Sequence, residues 1–448
     1  MAEQTFRTLM RTTDILVTAS ISPVAVAAIG LADLYARFPL WIGLGFGGGA
    51  ISLSSQDTGA AVPGGGGTEE AARAASANRD QAISVALVVG ALLGLPFVAF
   101  GLLFGREAIA VLGAPAEVAT VGGAYLAVVF LTAPARHVGL VAARSLQGTG
   151  DTRTPMYVNV VANLLNISGS LVLGWGLFGA PELGVVGVGV ATSAANVLTA
   201  GALLGALWGP WAAADLVRPS DPVVARQLVE VSLPAVAEGL ASTLAEFPFN
   251  AVLLGFGTAV NAAFQVGRRM YQQVTGPLGR GYNVAVSVVV GQALGRGDPA
   301  AARFDGWASA ALGVVSVGGV GLLLAAGAPL FVGVFTTDSE TVRYAVDFAR
   351  VYGLSAPFLA TFTVLQGALR GAGETRVPFV ARTTGTYGFL VAFTYLAGVV
   401  GGLGVLGAYL GIALSYVWMA LVVGVSFGRG DWAGRAARLL SERGSLTE

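Results

Sequence analysis

A polar turn is written twice in an otherwise apolar chain. Gly148 to Pro155 reads Gly-Thr-Gly-Asp-Thr-Arg-Thr-Pro, and Gly371 to Pro378 reads Gly-Ala-Gly-Glu-Thr-Arg-Val-Pro. The offset is 223, from 148 to 371 and from 155 to 378, and it also carries Pro134 onto Pro357. A spacing shared by a residue outside the turn points to a duplicated half-protein rather than a recurring loop. Each copy lies between two apolar runs, with Gly to make the turn and Pro to begin the second run, which predicts a tight connection between two membrane helices.

Of the 448 residues, 55% are hydrophobic and 11% charged, far below the roughly 25% charged of soluble domains, and the mean hydropathy is +0.74. Apolar runs of the ~20 residues a bilayer core demands recur about a dozen times, rich in Gly, Ala and Val, so the spans are helices rather than the strands of a barrel. The predicted fold class is all-α: a polytopic membrane protein of about twelve helices. The absence of Cys excludes disulfides, thiolate metal sites and cysteine catalysis, and one His excludes a histidine-rich metal cluster. All 25 basic residues are Arg, so no Walker-type nucleotide-binding loop with its Lys exists.

The predicted spans are a first one ending near residue 21, then 24–53, 81–104, 118–145, 156–179, 184–208, 228–256, 259–294, 308–332, 344–369, 380–400 and 404–427. Ser20-Ile-Ser-Pro23 reads as a turn, and the Gly-rich, charged stretch 64–79 as an aqueous loop. Residues 429–443 set Trp432, Ala436 and Leu439 against Arg435, Arg438 and Arg443, a pattern for a helix on the membrane surface or a solvated tail. Arg73, Arg79, Arg153, Arg218, Arg226, Arg296, Arg303 and Arg376 fall in loops on one side, against Arg106 and Arg343 on the other. The positive-inside rule then places both termini in the cytoplasm, and the membrane expected is the plasma membrane. The expected division is a six-helix half at 1–213, a linker at 214–222, a second six-helix half at 223–428 and a tail at 429–448. An even number of spans per half puts the halves in parallel orientation.

The twin turn after the fourth helix of each half, Val290-Gly-Gln-Ala-Leu-Gly-Arg-Gly-Asp298 closing the eighth and Leu183-Gly-Val-Val-Gly-Val-Gly-Val-Ala-Thr192 opening the sixth together resemble the multidrug and toxic compound extrusion (MATE) transporters. The likeness covers nearly the whole chain. It implies two lobes in a V, a monomer, no enzymatic activity, and export of a small organic substrate by antiport against Na⁺ or H⁺, the coupling ion being the only cofactor. The partners expected are that substrate and the bilayer, not nucleic acid. Within the family the chain looks like the DinF-like and archaeal branch, which couples through an Asp of the first helix. Asp14, ahead of Ser20-Ile-Ser-Pro23 and Ala27-Ala28, falls on that position, and would hold Na⁺ if Na⁺ is the coupling ion. Asn166 and Thr192 match the branch's fifth and sixth helices, Ser170 replaces its second acid, and Asn163 adds an amide one turn earlier. Amide, hydroxyl and carboxylate oxygens suit a hard cation, and a lone buried Asp suits a proton. The branch coupled through the seventh and tenth helices fits less well, with Ser242 and Leu359 at its acid positions, although Glu238 and Glu246 flank Ser242 by about one turn. Only thirteen residues precede Asp14, which is read as a misplaced start rather than a shortened helix.

Charges at bilayer depth are functional candidates because they are costly. Asp33 and Arg37, at i and i+4, are expected to pair and to border the substrate cavity. His137 reads as a packing residue rather than a proton relay. On the eighth helix Gln265, Arg269, Gln272, Gly276, Arg280 and Asn283 fall within a sector of roughly 80°, a stripe expected to line a wet cavity. With Arg268 beside it, the second half is basic unless Glu238 and Glu246 neutralise it, which predicts an anionic or zwitterionic substrate. Two rivals are a lipid-linked oligosaccharide flippase of the same superfamily and a prenyl transferase, and the latter lacks the paired Asp motifs it needs.

Overall fold

The computed structural model describes residues 10, 13, 16–62, 68–209, 212–333, 335 and 338–444, and no strand occurs among them. Residues 16–21 are helical (α1). There follow α2 (Pro23–Ala60), α3 (Glu69–Val111), a two-part α4 (α4a, Ala116–Leu131; α4b, Ala133–Gly148), α5 (Arg153–Trp175) and α6 (Gly184–Trp208). The second half repeats the order with α7 (Pro222–Phe256), α8 (Thr258–Gly295), α9 (Pro299–Ala326), α10 (Ser339–Gly371), α11 (Arg376–Val400) and α12 (Val405–Arg429), and a final α13 (Trp432–Gly444). Among the described residues nine helices are long and apolar enough to cross a membrane, and the two parts of α4, bent by 47°, make a tenth. The bend falls where Pro134 lacks the N–H that would continue the ladder. α8 has 38 residues, length enough, but too many polar side chains to count with the others.

Two expectations change. The charged stretch before residue 81 is not a loop: from Glu69 onward it is the first turns of α3, whose 43 residues make a helix of about 65 Å, longer than the ~30 Å hydrocarbon core. The Arg73–Glu69 pair at 3.0 Å and Thr68, whose hydroxyl accepts from the Ala71 N–H, support that solvated end. The turn at Ser20–Pro23 shrinks to a one-residue break at Ser22, whose hydroxyl accepts from the Ala25 N–H at 3.1 Å.

The chain packs as two compact units, residues 1–54 with 74–232, and residues 55–73 with 233–448. Unit 1 has a core of small and branched side chains, Val17, Ala25, Ala28, Ala32, Ile109, Leu126, Phe130 and Val188. Unit 2 is richer in rings: Phe264 meets Phe249 and Phe348 edge-on, and Tyr271 stacks on Tyr352 at 5.7 Å. α10 runs along α8, α9 and α12. Its approach to α8 is as close as backbones allow, because a Cβ at Gly367 or Gly371 would stand 2.3 Å from the carbonyl oxygen of Asn283 or Ser287.

The twin turns fold alike. Gly150 and Gly373 take φ of +100° and +77°, the left-handed conformation that Gly adopts without penalty. The next N–H reaches back to the preceding helix, Asp151 to Leu146 O at 2.9 Å and Glu374 to Leu369 O at 2.8 Å. The acid then caps the new helix: Asp151 accepts from the N–H groups of Arg153 and Thr154, Glu374 from those of Arg376 and Val377. Asp298, at the end of the eighth-helix motif, caps α9 in the same way through Ala301 N–H at 2.8 Å.

Candidate functional site

Three of the residues chosen from the sequence meet in unit 1. Asn166 and Ser170 are one turn apart on α5, so their side chains share a face, and Thr192 comes from α6, which packs along α5. The Asn166 amide donates to the Thr192 hydroxyl at 3.3 Å, and the Ser170 hydroxyl donates to Asn166 Oδ1 at 3.2 Å. Asn166 and Ser170 are buried and Thr192 half-buried, so three neutral oxygens gather in a protected spot, a donor set suited to a hard cation or to a protonated partner. Asn163 stands one turn earlier, half-buried. α1 reaches the far end of α5, where the Trp175 indole donates to the Ser20 hydroxyl at 2.8 Å and Val17 lies against Gly174. Asp14 lies outside the described residues. Asp33 is exposed on α2 and Arg37 half-buried.

In unit 2 the polar stripe of α8 divides along its length. At one end Glu246 of α7 pairs with Arg268 at 3.0 Å. Arg268 also donates to Gln265, whose amide donates to Asn250 Oδ1 at 2.9 Å, and Asn261 donates to the same oxygen. At the other end the Asn283 amide donates to the Thr363 carbonyl at 2.7 Å and reaches Gln366. Between these ends Arg269, Gln272 and Arg280 are exposed. The stripe is thus bonded to neighbouring helices at its ends, and its middle residues are exposed.

Unit 2 also holds a buried charge cluster of which the sequence signals only a part. Glu238 of α7, 3% exposed, takes Arg370 of α10 at 2.9 Å and Arg382 of α11 at 2.6 Å, and also accepts from the Gln366 amide. Arg382 lies over the Phe362 ring at 4.7 Å. One carboxylate so offsets two guanidiniums in a protected setting, where unpaired charge is costly. Gln366 and Arg370, at i and i+4, form a polar pair in an apolar helix, which is a signal the sequence carries. Arg382, 144 residues from its partner, carries none.

A second buried ion pair joins α13 to the end of α2. Arg443, expected on the polar face of a surface helix, is buried on the same face as Trp432, Ala436 and Leu439 and pairs with Asp57 at 3.0 Å. The apolar face of α13 therefore covers protein rather than lipid.

No group of three His, Asp or Glu that could hold a metal ion occurs among the described residues. The MatE family matches residues 1–172 and 234–396. A probable multidrug resistance protein NorM of Bradyrhizobium diazoefficiens is 30% identical over 94% of this chain and 90% of its own length, and one of Rhodopseudomonas palustris is 29% identical over 92% and 86%. Among solved structures, a MOP superfamily transporter from Pyrococcus furiosus is similar with a TM-score of 0.84 and 20% identity, covering 98% of this chain and 94% of that one. The eukaryotic MATE transporter AtDTX14 is similar with a TM-score of 0.81 and 16% identity, covering 99% and 96%.

Proposed function

This chain belongs to the MatE family of membrane transporters, and from that premise we propose that it exports small organic compounds across the plasma membrane by antiport against Na⁺ or H⁺. The names of the NorM relatives support multidrug efflux. The observation that carries the coupling site is the Asn166, Ser170 and Thr192 cluster, the partners expected for Asp14 in the DinF-like and archaeal branch. Ion entry there rearranges the helices of unit 1 and drives release of the substrate. Glu238, already held by two arginines, is a poorer coupling group, because emptying or protonating it strands both charges. The exposed Arg269 and Arg280 support an anionic or zwitterionic substrate. The protein works as a monomer with both termini in the cytoplasm.

Efflux of a panel of cationic and anionic fluorescent compounds from vesicles, driven by a Na⁺ or a pH gradient, tests this reading. Wild type is expected to export under one gradient and Asp14→Asn to lose that export. Undiminished export by Asp14→Asn would sink the unit 1 site and direct attention to Glu238 and Glu246.

A further inference from the structure

His137 is the one histidine of the chain, and it is completely buried in α4b. Its Nδ1 lies 3.0 Å from the carbonyl oxygen of Gly90 on α3, and its Nε2 lies 2.8 Å from that of Pro39 on α2. A neutral imidazole has one N–H. It donates to one of these oxygens and turns a lone pair on the other at hydrogen-bond distance. Only the imidazolium donates to both.

The packing holds the ring in that position. A Cβ at Gly43 would come within 2.9 Å of its Cδ2, so α2 presses on one edge, and Phe97 of α3 meets it edge-on with centroids 6.2 Å apart. From α2 the ring meets Pro39 and Gly43, and from α3 Gly90 and Phe97, none of which titrates. The charged group acting on it is Arg136, its neighbour on α4b. The charged side chains of α2 before this contact, Asp33 and Arg37, precede Pro39 on that helix. Burial and Arg136 work against a cation here, and two carbonyl dipoles work for it.

We propose that His137 is a proton-binding site of the transport cycle. The protonated ring ties α2 to α3 through α4b, and loss of the proton to water releases one of the two ties. Because the ring is shut off from solvent, its proton exchanges only when these helices part, which links proton release to a change of shape in unit 1. This rests on the antiporter reading and names H⁺ as a coupling ion.

A single histidine makes the test direct. In the full chain reconstituted in bilayers and labelled with ¹⁵N-histidine, nuclear magnetic resonance reads whether each ring nitrogen carries a proton. Both are expected to do so at the acid end of the range from about pH 5 to pH 8, with one proton lost toward the alkaline end. One neutral tautomer at every pH would overturn the proposal without any mutation. His137→Gln, whose amide donates in one direction only, is expected to lower pH-driven efflux at least about tenfold while its thermal unfolding stays near wild type. Efflux equal to wild type would likewise overturn it, as would wild-type efflux that runs on Na⁺ and ignores pH, an outcome that leaves the exporter reading intact. A titrating ring in a protein that exports nothing would instead uphold the proton site and count against the exporter reading.

Discussion

Glu238 stands between Arg370 and Arg382 with a few per cent of its surface exposed. Removing one member of a buried pair leaves the other charge desolvated, which costs about 3–5 kcal/mol. Glu238→Gln is therefore expected to lower unfolding stability in detergent by about that amount, with Arg382→Gln costing less because one guanidinium still answers the carboxylate. Equal, small losses would mean that solvent reaches the cluster. In unit 1, Asn166 bridges Ser170 and Thr192 with both ends of its amide. Asn166→Leu leaves two hydroxyls without it, at a cost of about 1–3 kcal/mol, and is expected to abolish export. Asn166→Asp, which keeps the acceptor, should retain part of it. Export by Asn166→Leu at the wild-type rate would remove this cluster from the coupling site.

The element with the most to test is α13. Its face of Trp432, Ala436, Leu439 and Arg443 is buried in unit 2, the Trp432 ring stacks on Phe427 at 4.7 Å, and Arg435 donates to the Gly373 carbonyl inside the second twin turn. Arg443 also donates to Gln56, whose amide donates to the Gly371 carbonyl. α13 thus fastens the end of α2 and the α10–α11 turn together. Arg443→Ala is expected to cost about 3–5 kcal/mol, and the double substitution Asp57→Leu with Arg443→Leu to recover most of it, since a buried pair replaced by apolar groups is often neutral. A double variant as unstable as the single one would show that shape, not charge, fastens α13. The turns themselves predict a smaller effect. Gly150→Ala and Gly373→Ala force a side chain into a positive φ and should each cost about 1 kcal/mol, read as paired drops in thermal unfolding temperature.

At the scale of the molecule, α2 begins in unit 1 and ends in unit 2, the change falling between residues 54 and 55. The last turn, residues 55–60, packs on α8, where a Cβ at Gly59 would stand 2.1 Å from the Gln292 carbonyl oxygen. Hydrogen exchange should see this division within one continuous helix. Arg443→Ala is expected to speed exchange at residues 55–60 and to leave residues 40–54 unchanged. A uniform change along α2 would mean that the helix opens as one body.

Class, duplication and turns are legible in the sequence. Hydropathy summed over ~20 residues is a local property that a bilayer reads directly, and the Gly–acid–Thr–Arg–Pro signal specifies a turn and a cap from residues within one loop. It also brought Asn166 and Ser170 together, because i, i+4 spacing on a helix is geometry. What it left undecided is every pairing of distant charges. Glu238 finds Arg370 and Arg382 across 132 and 144 residues of chain, Arg443 finds Asp57 across 386, and His137 finds the Pro39 carbonyl across 98. Those partners are chosen by how helices cross, and only the tertiary structure decides which costly buried charge meets the group that offsets it.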